Sequence, residues 1–244
     1  MKSPKAKLSI LIPVRNEGVN IELMLRVLDA VIDIPYEVLI IYDFKNDDGI
    51  PVVKRLHYKF PHVRLIRNNL GPGVANALKA GIKESKAEYI LVFVIDDVGP
   101  VLAIDDMVKL LNQGCDLVSC TRYAHGGRRL GGSLVESILS RIGNRLFCII
   151  SGSVFTDSTT GIKMFRKSLL KKITLEANPI GWAVAFELAI KAQSEGLKLG
   201  EVPIISIDRL YGGKSTFSLG SWFKEYLKWF LWGVKHLHNP KSTQ

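Results

Sequence analysis

The first half of the chain alternates apolar runs of strand length with stretches whose apolar positions recur at helical spacing. Lys7 to Val14 is rich in β-formers and passes through Pro13, after which Asn16 and Glu17 open a helix carrying Ile21, Leu25 and Leu28 on one face. Pro35 interrupts the chain before YEVLIIY (36–42), a buried strand ending at Asp43 and the polar turn Lys45-Asn46-Asp47-Asp48-Gly49. Ile50 to Tyr58 reads as a helix and Val63 to Ile66 as a short strand. Gly71-Pro72-Gly73 then opens a helix from Val74 to about Lys86. That helix leads into YILVFVIDD (89–97), seven apolar residues running into two adjacent carboxylates.

A strand so uniformly apolar belongs in the middle of a sheet, and acids at its C-terminal end sit where open α/β sheets bind ligands. Helix Ile104 to Gln113 and strand Asp116 to Thr121 continue the alternation. This order predicts right-handed crossovers and a mostly parallel sheet with acids and glycines along one edge. Asp96 is the candidate chemical centre. The plainer reading of Asp96 and Asp97 is a strand end followed by a turn.

After Thr121 the character changes to a basic, glycine-rich loop from Arg122 to Arg129. A helix from about Leu134 to Ile150 follows, with Ile138, Ile142, Leu146 and Ile149 on one side and Arg141 and Arg145 on another. Asp157-Ser158-Thr159-Thr160-Gly161 forms a turn before a short strand around Lys163 to Phe165. A helix from Ala183 to Glu195 carries Glu187, and strand Lys198 to Ile207 leads to Asp208, Arg209 and the loop Tyr211-Gly212-Gly213-Lys214-Ser215. The last segment, Trp222 to Leu237, is dense in aromatics with Lys224, Lys228 and Lys235 as a polar stripe, the pattern of a helix lying in a membrane interface. The alternative is packing on the domain or on a second copy.

Composition narrows the partners. At 244 residues and 47% hydrophobic the chain can bury a full core, and its formal charge of +10 calls for an anionic partner: nucleic acid, a phosphorylated ligand or acidic lipid. The aromatics cluster on one amphipathic helix instead of interleaving with the basic loops, which argues against nucleic acid. Cys115, Cys120 and Cys148 show no metal-type spacing and read as buried thiols in a reducing cytosol. No apolar stretch reaches the roughly 18 to 20 residues of a spanning helix, and the N-terminal run reads as a strand, not a signal peptide. Gly71 and Gly73 fit neither a Walker loop nor the dinucleotide fingerprint.

Carboxylates at two strand ends, a glycine loop and later basic loops describe a nucleotide-diphosphate site. Taken in order, the segments resemble family 2 glycosyltransferases. LSILIPVRNE resembles their opening motif, YEVLIIYD their second strand, and NNLGPGVANALKAGI their glycine-opened helix, while 89–97 lies where they carry an Asp-x-Asp metal motif. CTRY, DSTTGIKMF and DRLYGGKS resemble the dolichyl-phosphate mannose synthase and polyprenyl-phosphate glycosyltransferase branch, so that the likeness runs from Leu8 to Ser215. It implies a single GT-A α/β domain over residues 1–216 and an amphipathic membrane-interface helix and tail over 217–244.

By the same resemblance Pro13, Arg15 and Glu17 line the nucleoside pocket and Asp43 accepts from the base. Asp96, helped by Asp97, holds a Mg2+ or Mn2+ ion that bridges the diphosphate. Arg122, Arg209 and Lys214, with Arg128, Arg129 and Ser215, bind the phosphates of donor and acceptor, and Asp96, Arg209 and Lys214 form the catalytic set. The chain departs from the pattern at Val94, where the first acid of Asp-x-Asp is missing, and at Tyr42-Asp43-Phe44, where a paired acid is absent. The implied activity is inverting transfer of a sugar from a nucleotide-sugar to a polyprenyl phosphate at the cytosolic face of a membrane. Transfer to a glycan hydroxyl is an alternative, with Asp157 or Glu187 as general base; a degenerate, membrane-recruited binding protein is another.

Overall fold

The computed structural model describes residues 6–207 and 219–237. Its centre is a seven-stranded sheet built from β1 (Leu8–Val14), β2 (Tyr36–Tyr42), β3 (Val63–Arg67), β4 (Tyr89–Val92), β5 (Leu117–Thr121), β7 (Lys163–Arg166) and β8 (Leu199–Pro203), in the order β3-β2-β1-β4-β7-β5-β8. All neighbours are parallel except β7, which runs antiparallel to both β4 and β5. The mixed, mostly parallel α/β architecture is the one the alternating pattern predicts.

Helices cover both faces. On one, α1 (Gly18–Val31), α2 (Gly49–Leu56) and α4 (Ile104–Asn112) close a core with Ile21, Leu25, Leu28, Val53, Met107 and Leu111. On the other, α3 (Val74–Glu84) and α6 (Ala183–Ser194) meet the sheet, and α7 (Leu219–Leu237) lies on α6 with Trp229 buried. Because α6 is covered by sheet below and α7 above, every residue from Ala183 to Ala192 is buried, which explains its lack of a polar face.

Two local expectations change. The seven-residue run of 89–95 keeps ladder pairing only to Val92, although Phe93 N–H still donates to Leu11 O (2.9 Å) and Phe93 and Ile95 stay buried. The run 198–207 divides into two strands. β8 pairs with β5; after Pro203, β9 (Ile205–Ile207) leaves the main sheet and pairs in parallel with β6 (Arg128–Leu130).

Helix α5 (Leu134–Ser151) turns its apolar side outward. Ile138, Ile142, Leu146 and Ile149 are 57%, 51%, 49% and 69% exposed, and the buried residues are Asn144, Phe147 and Ser151. Hydrogen bonds dock the inner side: Tyr123 Oη donates to Ser140 Oγ (2.8 Å), and Asn144 Nδ2 donates to Thr159 Oγ1 (2.8 Å). The apolar part of the seam is an edge-to-face cluster of Phe147 with Phe186 and Phe230, centroids 4.8 and 5.1 Å apart.

An exposed side chain loses little on substitution, whereas a buried one leaves a cavity. Ile142→Ser is therefore expected to change unfolding free energy by less than about 0.5 kcal/mol and Leu111→Ala to cost about 2–5 kcal/mol, both read from urea denaturation. Equal losses would mean that α5 packs the opposite way.

Candidate active site

The carboxyl ends of β1, β2 and β4 open on one edge, as expected for a ligand site in a parallel sheet. There the backbone turns sharply and acidic side chains bind its N–H groups. Asn16, at a φ of 56° that asparagine tolerates, donates its N–H to Asp47 Oδ2 (2.9 Å). Asp48 Oδ1 accepts from Gly18 N–H (2.8 Å), so a carboxylate from the turn after β2 caps α1. This fixes the loop holding Pro13, Arg15 and Glu17. Arg15 lies over the Phe44 ring at 5.4 Å, and Glu17 accepts from Asn20 Nδ2 (2.7 Å).

Asp43 ends β2 and joins two further loops. Its Oδ1 accepts from Asn68 Nδ2 (2.7 Å) and its Oδ2 from Gly73 N–H (3.0 Å). Gly73 has a φ of 113°, and a Cβ there would strike the Pro179 carbonyl, so only glycine fits. Asp43 thus ties the loops after β3 and before α3 to the end of β2.

The two acids after β4 separate. Asp96 is half-buried. Asp97 is buried and both its oxygens are engaged: Oδ1 accepts from Ile207 N–H (3.0 Å) and Gly99 N–H (3.2 Å), and Oδ2 from Ser206 Oγ (2.6 Å). Burial raises its pKa against those three bonds. The expected second metal ligand is therefore directed at the chain. Among the described residues no three His, Cys, Asp or Glu side chains gather to hold a metal. A hard cation bound mainly through diphosphate oxygens and water needs only one or two carboxylates, and Asp96 suits that arrangement.

Farther along the edge, the partly buried Arg122 and the fully buried Asp157 form a bidentate pair, Nε to Oδ2 at 2.7 Å and Nη2 to Oδ1 at 3.0 Å. Burial opposes the guanidinium charge, but Asp157 outweighs it and the Arg122 pKa is raised. The Tyr226 hydroxyl from α7 belongs to this region: burial raises its pKa, while the Trp182 N–H and the Arg122 charge oppose the shift. The C-terminal helix thus reaches the site as well as the surface.

The remaining expected residues scatter. Arg128 is exposed on β6; Arg129 is largely buried, with Nη2 3.9 Å from Glu136 Oε2. Arg209, Lys214 and Ser215 lie outside the described residues. Glu187 is fully buried and accepts from Glu176 N–H, Ala177 N–H and Lys191 Nζ at 2.6, 2.8 and 2.7 Å, so it braces α6 and is not a surface acid.

Two charged residues escaped the sequence reading. Glu201 on β8 accepts from Thr156 N–H (2.9 Å), Thr156 Oγ1 (2.7 Å) and Asp157 N–H (3.3 Å), and burial raises its pKa. Lys163 is wholly buried at the start of β7, donating to Ser119 Oγ (2.8 Å). Burial pushes its pKa down from 10.5 to about 8 against the pull of Asp157, Cys120 and Glu201. The available signal was a lysine inside the apolar string GIKMF.

The mixed, mostly parallel sheet is that of the GT-A fold, as superposition on solved glycosyltransferase structures shows. Residues 9–174 match Glycosyl transferase family 2, and the chain belongs to that family. It is 26% identical over 231 residues to a dolichol-phosphate mannosyltransferase of Pyrococcus furiosus, covering 91% of this chain and 64% of that protein. It is 27% identical over 201 residues to a dolichyl-phosphate hexose transferase of Haloferax volcanii, covering 81% of each. A dolichyl-phosphate beta-glucosyltransferase of Trichomonas vaginalis is 21% identical, and the chain spans 52% of its length. Among solved structures, glucosyl-3-phosphoglycerate synthase of Mycobacterium tuberculosis with Mn2+, UDP and glucosyl-3-phosphoglycerate superposes with a TM-score of 0.72 at 16% identity, covering 96% of this chain and 81% of that one. The same enzyme with Mg2+ and UDP gives 0.71 at 18%.

The Lys163 shift has a definite sign. Between its folded value of about 8 and 10.5, the unfolded chain holds a proton that the fold has released, so the contribution of this group to stability rises with pH there and is flat below. Urea denaturation at about pH 7 and about pH 10 is expected to show the wild type gaining on Lys163→Met at the higher pH; an unchanged difference refutes the shift.

Proposed function

We propose that the chain transfers a sugar, with inversion, from a nucleotide-sugar to a polyprenyl phosphate at the cytosolic face of a membrane. The observation that carries the lipid acceptor is α5: its apolar side faces outward while its inner side is hydrogen-bonded to Tyr123 and Thr159, beside the Arg122–Asp157 pair. An apolar helix face flanked by Arg141 and Arg145 suits an anionic lipid surface. The exposed Phe223, Leu227 and Leu231 of α7 add to it. Among the described residues no helix is long and apolar enough to cross a membrane, so contact at the surface is the arrangement they support. The dolichyl-phosphate transferases named above supply the acceptor class.

In this reading Pro13, Arg15, Glu17 and Asp43 receive the nucleoside, and Asp96 holds Mg2+ or Mn2+ against the donor diphosphate. When bound, the cation neutralises charge on the leaving diphosphate. Arg122 has five N–H donors and directs two side-chain donors to Asp157, leaving others for a phosphate. Arg128, Arg129, Arg209, Lys214 and Ser215 complete the phosphate-binding set. The acceptor phosphate is ionised near neutral pH and needs no strong base. A hydroxyl acceptor would need one, and the two candidates, Asp157 and Glu187, are tied in buried charge pairs.

The decisive assay incubates the protein with polyprenyl phosphate in vesicles and a panel of labelled nucleotide-sugars, with and without chelator. A label that extracts into organic solvent is expected, and Asp96→Ala should lower its formation about a hundredfold or more. Full activity in that variant would sink the metal role. Label transferred only to water-soluble acceptors would sink the lipid acceptor.

The membrane contact has its own readout. Ile142→Glu with Ile149→Glu is expected to reduce co-sedimentation with anionic vesicles about tenfold without lowering the unfolding midpoint. Unchanged sedimentation would remove α5 from the contact.

A further inference from the structure

The Glu201 carboxylate holds the turn that carries Asp157. Its Oε1 accepts from two consecutive backbone N–H groups, Thr156 (2.9 Å) and Asp157 (3.3 Å), and its Oε2 accepts from the Thr156 hydroxyl (2.7 Å). Glu201 itself stands on β8 in register with Ser119 of β5, so the sheet fixes where it sits. An ionised carboxylate only accepts, and the Thr156 hydroxyl gives it the one proton it has. In its 2.7 Å contact with the Thr121 hydroxyl, Thr121 is therefore the donor. Thr121 Oγ1 in turn accepts from Tyr123 N–H (3.2 Å). The residues on either side of Arg122 are thus tied to one carboxylate of the neighbouring strand.

A second route reaches the arginine side chain. Asp157 Oδ2 accepts from Arg122 N–H (3.2 Å) and Nε (2.7 Å), and Oδ1 from Nη2 (3.0 Å) and Thr159 Oγ1 (3.3 Å). A side-on pair through Nε and Nη2 leaves the Nη1 end of the planar guanidinium turned away from Asp157. The placement of Asp157 sets where that end points, and Glu201 holds the backbone N–H of Asp157. Both routes converge on one cation. We propose that Glu201, acting through Thr156 and Asp157, is a positioning residue that aims the Nη1 end of Arg122 at substrate phosphate. This rests on the phosphate role given to Arg122 above. An arginine fixed in advance loses little conformational freedom when the phosphate arrives.

Thr156→Val removes the hydroxyl relay and keeps the side-chain shape, whereas Thr156→Ser keeps the hydroxyl. In sugar transfer to polyprenyl phosphate in vesicles, kcat/KM is expected to fall about tenfold for Thr156→Val and to stay within about twofold of wild type for Thr156→Ser. Arg122→Ala is expected to lose about a hundredfold, with the Thr156→Val, Arg122→Ala double variant within about twofold of Arg122→Ala alone. Losses that multiply would show that the threonine acts elsewhere than through Arg122 and would overturn the proposal. So would full transfer in Thr156→Val, or a loss in Thr156→Ser as large as that in Thr156→Val. The NMR signal of the Arg122 Nε–H, recorded without substrate, is expected to shift in Thr156→Val and Glu201→Gln and to stay in place in Thr156→Ser. If Glu201→Gln fails to fold, the threonine variants decide. A wild type that makes no lipid-linked sugar overturns the acceptor reading alone, and the Nε–H signal then decides the clamp: no shift in Thr156→Val overturns it.

Discussion

Backbone N–H groups at the carboxyl edge of a parallel sheet have to be satisfied where the chain leaves its ladders, and in this protein carboxylates satisfy many of them. Asp47 and Asp48 bind the loop after β1, Asp43 the loop before α3, Asp97 the strand β9, and Glu201 the turn at Thr156 and Asp157. Each bond spans elements distant in sequence, so the edge is a mesh of acids and amides. One acid can serve two ends at once because each oxygen accepts more than one donor.

Behind that mesh lies a denser charge problem. Arg122, Asp157, Lys163 and Glu201 lie on neighbouring strands and the turns beside them, and the charge of Asp157 bears on the protonation of the other three. Such a group is tolerated only while every member is answered, since removing one partner of a buried pair leaves an uncompensated charge. The arrangement fixes Arg122 more firmly than a surface arginine could be fixed.

The strands and most helices were legible because hydrophobic period and punctuation by Pro and Gly report burial directly. The sequence read α5 correctly as amphipathic but could not say which side faces inward. Period gives a stripe, and the Tyr123–Ser140 and Asn144–Thr159 bonds with the buried Phe147 show that the side bearing Ser140, Asn144 and Phe147 docks. Asp96 and Asp97 look alike as text; burial and the three donors around Asp97 separate them. That Glu187 is buried was not legible, because covering by α7 is a tertiary event that α6 alone does not encode. Lys163 was hidden for the same reason: the carboxylates that answer its charge, Asp157 and Glu201, come from a distant turn and strand.

The direction of β7 has an effect on how the protein tolerates changes of length. Because it runs against β4 and β5, Lys163 pairs with Val92 on one side and Ser119 on the other at the start of the strand. The DSTTGI turn therefore enters the middle of the sheet, where other site loops leave it. One residue inserted there would slip two ladders together and reverse which face each β7 side chain meets. Extra residues in the loop 122–127, whose far end joins the short β6, meet no such register. Variation at this edge can thus accumulate by loop length in 122–127, while the DSTTGI turn is confined to substitution.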